Sequence, residues 1–128
     1  MDFKLELVAI PVTDVDRAKD FYVSAGFNAD HDHRVSDELR FVQLTPEGSA
    51  CSICIGDGLT DAEPGSVKGM QMVVADIEAA REQLVAGGVE ASEIDRQPWG
   101  DFVYFSDPDG NGWAVQKIKV PGDGEDAA

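Results

Sequence analysis

The sequence predicts an α+β domain in which two tandem βαβββ modules form curved mixed sheets around a cavity. Three observations carry that expectation. Shifted by 62 positions, the chain aligns without a gap to its own residues 7–54. Val12-Thr-Asp14-Val15 then falls on Val74-Ala-Asp76-Ile77, and Thr45-Pro-Glu-Gly48 on Asp107-Pro-Asp-Gly110. A repeat of this length, holding both a helix start and a turn, is one supersecondary unit used twice. The 128 residues, 43% of them hydrophobic, suffice for one domain with a core of its own.

Each module opens with a strand, at residues 5–12 and 68–74. Asp14 and Asp76 follow as helix N-caps, because a carboxylate there accepts from first-turn N–H groups. Val15, Ala18, Phe21, Tyr22 and Ala25 share one face of the first helix; Ile77, Ala80 and Leu84 share one face of the second. Gly26 and Gly88 stand where a left-handed helix end is wanted. Three shorter strands complete each module, at 27–33, 39–44 and 50–55, then at 89–95, 101–106 and 112–118. Asp107-Pro-Asp-Gly110 suits a tight turn, with proline second and glycine where φ turns positive. The modules thus span about 5–58 and 67–120 within a single domain, 1–120, and 121–128 reads as a disordered acidic tail.

The net charge is −15, divided as −8 over residues 1–64 and −7 over 65–128. Such a field disfavours nucleic acid and anionic membranes and favours cationic ligands. No apolar run approaches the roughly 20 residues of a membrane span, and Met1-Asp-Phe-Lys4 lacks a signal peptide's apolar stretch, so a cytoplasmic location is expected. Cys51 and Cys54 form a C-x-x-C, but on a strand these positions point to opposite faces. Two strand thiols are therefore expected rather than a redox or zinc motif.

Strand alternation sorts the side chains. Val8, Ile10, Ile53, Ile55, Met70, Met72, Trp113 and Val115 form a large apolar face that packs on the helices. Leu7, Ala9, Ser52, Cys54, Gly69, Gln71, Ala114 and Gln116 form a face of mostly small residues. Such a face, when curled, leaves a hollow fit for a small molecule. His31 and His33 share one strand face roughly 7 Å apart, and either bracket a ligand or lie on a wet edge. Two hairpin registers remain open. One aims Arg40 and Tyr104 into the hollow with Gln71 and Gln116; the other aims Phe41 and Gln43 there. Trp99, between Pro98 and Gly100, is a candidate stacking wall.

The helix start Val12-Thr-Asp-Val-Asp-Arg-Ala-Lys-Asp-Phe-Tyr22 with Gly26-Phe27, and Ser106-Asp-Pro-Asp-Gly-Asn-Gly-Trp113, resemble the vicinal oxygen chelate superfamily. That superfamily includes glyoxalases, bleomycin-resistance proteins and extradiol dioxygenases. The resemblance implies metal ligands seven residues before each capping aspartate, here Leu7 and Gly69. It implies others at Ala114, four residues past the turn glycine, and by the repeat at Ser52. Three of these side chains have no donor atom and the hydroxyl of Ser52 is a poor ligand, so no metal and no other cofactor are expected.

The resulting expectation is a metal-independent binder of an aromatic or cationic small molecule, of the bleomycin-resistance type. It would sequester an antibiotic or aromatic metabolite and work as a homodimer, as the resemblance implies. The ligand-facing residues expected are Leu7, His31, His33, Arg40, Ser52, Cys54, Gln71, Trp99, Tyr104, Ala114 and Gln116. A metal-independent lyase or isomerase of the same superfamily is the alternative, with a histidine as base; a metal-dependent glyoxalase or dioxygenase with relocated ligands comes third.

Overall fold

The computed structural model describes residues 1–119, so the tail expected at 121–128 lies outside the described residues. The first module runs β1 (Leu7–Ala9), α1 (Val15–Ser24), β2 (Phe27–Arg34), β3 (Arg40–Pro46) and β4 (Ser52–Asp57). The second repeats the order as β5 (Met70–Val73), α2 (Ile77–Ala86), β6 (Asp95–Gln97), β7 (Gly100–Ser106) and β8 (Gly112–Ile118). Each module is a four-stranded mixed sheet, ordered β1-β4-β3-β2 and β5-β8-β7-β6. The first strand pairs parallel to the last in both, and the remaining pairs are antiparallel.

Local chemistry explains the elements. Asp14 accepts from Arg17 N at 3.0 Å and Asp76 from Ala79 N at 3.0 Å, which starts both helices as the repeat predicts. Gly26 and Gly88 follow the helix ends at φ +109° and +86°, a region that only glycine enters freely. After β7, Gly110 N donates to Asp107 O at 2.9 Å and closes the expected turn.

One core joins the modules. Ile10, Ala18, Tyr22, Ile53 and Ile55 from the first pack in the same cluster as Ile77, Leu84, Val103, Trp113 and Val115 from the second. Fully burying one such side chain contributes about 1.5–3 kcal/mol. The helix-bearing faces therefore meet within the chain, and the opposite, open faces point away from that shared core. The sheets do not close into a barrel.

The strand expected at 89–95 is displaced; the ladder forms only over Asp95–Gln97. Upstream, the Ser92 hydroxyl accepts from Tyr104 N at 2.9 Å and Arg81 Nε donates to Ser92 O at 2.7 Å. Ser92 N still donates to Tyr104 O at 2.9 Å, but with the Ser92 hydroxyl and Arg81 taking the reciprocal groups no regular ladder forms upstream of Asp95.

Candidate functional site

The open face of the first module is set by register. Leu7 lies opposite Ser52 and Ala9 opposite Cys54. Gln43 lies opposite Cys54 and Phe41 opposite Gly56, while His31 and His33 lie opposite Gln43 and Phe41. Opposed residues share a face, so Leu7, Ser52, Cys54, His31 and His33 lie on one face of the sheet. The two imidazoles are stacked with centroids 5.9 Å apart. A bulge between Ala29 and His31 brings Asp30 to the Thr45 hydroxyl, which lies 2.6 Å from the Ser52 hydroxyl. Gln43 Nε2 donates to Ser52 Oγ at 3.3 Å. Ser52 is thus occupied with neighbours. Burial pushes the Cys54 thiol up, so it stays protonated and neutral.

Arg40 does not reach this face. Carrying the Tyr104–Ala114 pairing back by the repeat would set Val42 opposite Ser52, but Val42 stands opposite Ile55, three residues further. An odd displacement exchanges the faces, so Phe41 and Gln43 replace Arg40 in the hollow. The Arg40 guanidinium turns to the helix side, where it binds Asp32 through Nε at 3.0 Å and Nη2 at 2.9 Å, and Asp16 at 2.9 Å. Those hydrogen bonds from Arg40, with Lys19 beside them, hold the Asp32 carboxyl well below the usual carboxylate range.

The second module keeps the other register. Tyr104 lies opposite Ala114, Phe102 opposite Gln116, and Gln71 opposite Ala114 on the far side. Gln71 Nε2 donates to Gln116 Oε1. Phe102 and Tyr104 stack in parallel at 6.0 Å. The Tyr104 hydroxyl donates to Asp95 Oδ2 at 3.0 Å, and Gln97 Nε2 donates to Asp95 Oδ1 at 2.8 Å. Burial and then Asp95 raise the Tyr104 phenol, which keeps it a donor. Trp99 stands in the β6–β7 turn, 60% exposed.

The hollow faces therefore differ in character. One carries paired imidazoles beside Phe41 and a hydroxyl-carboxylate chain; the other carries stacked aromatics beside three amides. Phe41, Gln43, Thr45, Phe102 and Asp95 were not among the expected site residues. The alternative register pointed to the first two, and the repeat-aligned parity of Tyr104 could have found Phe102.

Neither face fits a metal. Leu7, Gly69 and Ala114 offer no donor atom, and Ser52 Oγ is engaged by Thr45 and Gln43. Among the described residues no group of three or more His, Cys, Asp or Glu is placed to hold one. Cys51 and Cys54 are free thiols, with Cys54 on the hollow face.

The family model described as Glyoxalase/Bleomycin resistance protein/Dioxygenase superfamily matches residues 4–115. The uncharacterized protein YetH of Bacillus subtilis (strain 168) is 30% identical over 113 residues, covering 81% of this chain and 89% of YetH. Among solved structures, TnmS3, an antibiotic binding protein from Streptomyces sp. CB03234, is 32% identical with a TM-score of 0.82. That match covers 92% of this chain and 98% of TnmS3. A superfamily member from Sphaerobacter thermophilus DSM 20745 is 29% identical with a TM-score of 0.77, over 91% of this chain and 98% of the other.

Proposed function

The chain belongs to the glyoxalase/bleomycin resistance protein/dioxygenase superfamily, and on that premise we propose that it binds a small molecule without a metal, sequestering an antibiotic or aromatic metabolite in the cell. The observation that carries this reading is the pair of open faces, lined by aromatic, imidazole and amide side chains, where the superfamily's metal-ligand positions hold the donor-free Leu7, Gly69 and Ala114 and a Ser52 hydroxyl already engaged by Thr45 and Gln43. Similarity to an antibiotic binding protein at 32% identity supports the same class of role.

A second copy completes the site. Within one chain the two open faces diverge, and Leu7, Val73, Tyr104 and Ile118 on them are exposed. Closure comes when the first-module face of one copy meets the second-module face of another. A planar ligand then lies between the His31–His33 pair with Phe41 on one side and Phe102 with Tyr104 on the other. Gln43, Gln71 and Gln116 supply hydrogen bonds, Leu7, Cys54 and Ala114 the floor, and Trp99 the outer wall.

The test is a thermal-shift screen with cationic antibiotics and aromatic metabolites, followed by product analysis of each hit. Ligand at 100 times its dissociation constant adds about 2.7 kcal/mol, an easily read shift. The expected result is a stabilising compound recovered unchanged. A hit consumed on incubation would replace this reading with the metal-independent enzyme.

A further inference from the structure

The repeat gives the protein two junctions between its modules, and only one of them is filled. In the first, Tyr22 Oη donates to Asp107 Oδ2 at 2.8 Å and Trp113 Nε1 donates to Tyr22 Oη at 3.0 Å. Asn111 Nδ2 reaches Pro11 O at 2.8 Å, and Thr13 Oγ1 donates to Asp109 Oδ1 at 2.7 Å. The rings of Tyr22, Phe27 and Trp113 lie within 5.1–5.8 Å of one another, and Phe21 packs on Phe105 at 6.1 Å.

A step of 62 residues generates the second junction. Leu84 takes the place of Tyr22, Gln83 of Phe21 and Val89 of Phe27; Cys51 takes the place of Trp113 and Ser49 of Asn111. Every large group has a smaller counterpart. The outcome is a groove of about 560 Å³, walled by Phe27, Met72, Ala80, Leu84 and Val115, with Glu47 and Asp76 at its mouth. In its lining Gln83, Leu84, Ser49 and Glu47 stand where the repeat places Phe21, Tyr22, Asn111 and Asp109, with the β3–β4 turn in the place of the turn after β7.

We propose that this open junction, which shares only the β5 residues Gln71 and Val73 with the hollow face, is a second binding site that takes a small planar aromatic cation. The shape follows from the subtraction, since the aromatic rings replaced along its lining are the phenol of Tyr22, by Leu84, and the phenyl ring of Phe21, by Gln83. The charge follows from the rim. Asp109 is held by Thr13 in the first junction, but the repeat puts Ala75, which has no side-chain donor, at the position corresponding to Thr13. Among the described residues Glu47 has no hydrogen-bond or ion-pair partner, and a net charge of −15 adds to its pull on cations.

The experiment titrates the protein with tryptamine, indole and indole-3-acetate at pH 7 while following methionine methyl and histidine ring resonances by NMR. Tryptamine should move the Met72 methyl, and indole-3-acetate should bind about tenfold more weakly. Glu47→Gln should erase most of that difference. Gln83→Phe, which installs the counterpart of Phe21 at the rim, should block all three probes, and Ala80→Leu offers a second way to fill the groove. A Met72 methyl that ignores every probe, or responds equally to the acid and the amine, overturns the proposal. So does a Met72 methyl that moves with protein concentration alone, which would assign the groove to a second copy. Shifts confined to the His31 and His33 rings would place the probes in the hollow, and also defeat the second site while leaving the first intact.

Discussion

Tyr22 shows how much one side chain can carry. Fully buried, it packs edge-on against Trp113 and tilted against Phe27, and its hydroxyl accepts from one partner while donating to another. Burial and then the Asp107 carboxylate raise its phenol, so it remains a donor at any physiological pH. Tyr22→Phe should keep the packing but leave Trp113 Nε1 without an acceptor and Asp107 Oδ2 with Asn111 Nδ2 as its remaining donor, at a cost of about 1–3 kcal/mol. Urea denaturation should show a lower midpoint at unchanged slope. The sequence marked Tyr22 only as an apolar helix position; its partner lies 85 residues away, a pairing that periodicity does not encode. Arg40 makes the complementary point. Its residue type suits anion binding, yet two carboxylates claim it on the helix side. Arg40→Met should therefore lower stability by at most about 1 kcal/mol and leave ligand affinity in the hollow unchanged. The sign of its pH dependence is fixed by Asp32. A carboxyl whose folded pKa is depressed stabilises above its unfolded value, near 3.9, and loses that contribution as pH falls through the folded value. The gap between wild type and Arg40→Met should thus be full at pH 7 and close only in strong acid.

At the scale of elements, the repeat was a dependable guide where a residue acts on its own backbone and a poor one where two strands must agree. The capping aspartates and the glycines at the helix ends sit as the sequence predicts, because each satisfies groups within three or four residues. Hairpin register depends on how the turn closes. In the first module Ser49 N bonds Pro46 O, in the second Gly110 N bonds Asp107 O, so the first turn closes one repeat position later, and the strands beyond it pair three residues out of step with their counterparts. The sheet is sensitive at this place. A Cβ on Gly56 would stand 1.8 Å from Arg40 O, so β4 can follow β3 here only without a side chain. Gly56→Ala should push the strands apart and open the register that holds Phe41 and Gln43 in the hollow, with amide exchange accelerating first in β3 and β4. Asp76→Ala should cost about 1 kcal/mol through the lost cap, and Asp14→Ala a similar amount. Because the two caps lie in different helices, their effects on the denaturation midpoint should add.

For the whole molecule, the decisive fact is that a shared core turns the two hollow faces outward. Alternation along strands identified which residues share a face, but which face meets which is a question of module packing, set by Tyr22, Trp113 and their neighbours. If ligand binding needs one face from each of two copies, damage to the faces should complement in a mixed dimer. His31→Ala removes a wall of the first-module face, and Tyr104→Ala one of the second; each homodimer then has both of its sites impaired. In a mixed dimer, the first-module face of the Tyr104→Ala copy and the second-module face of the His31→Ala copy are both intact. They belong to the same site, while both lesions fall in the other. Mixing the two purified variants should therefore restore high-affinity binding of the screening hit in part, and the double variant His31→Ala/Tyr104→Ala should not be rescued by itself. Exchange has to be allowed first. With −15 on each copy, repulsion is strong at low ionic strength and is screened within about 3 Å at 1 M salt. Subunits should separate during incubation near 10 mM salt and reassemble when salt is restored, a cycle that sedimentation velocity can follow. Rescue after this cycle, and none when the variants are mixed at high salt throughout, is the expected pattern. Binding that stays impaired after the exchange cycle is complete would instead mean that one chain holds a complete site.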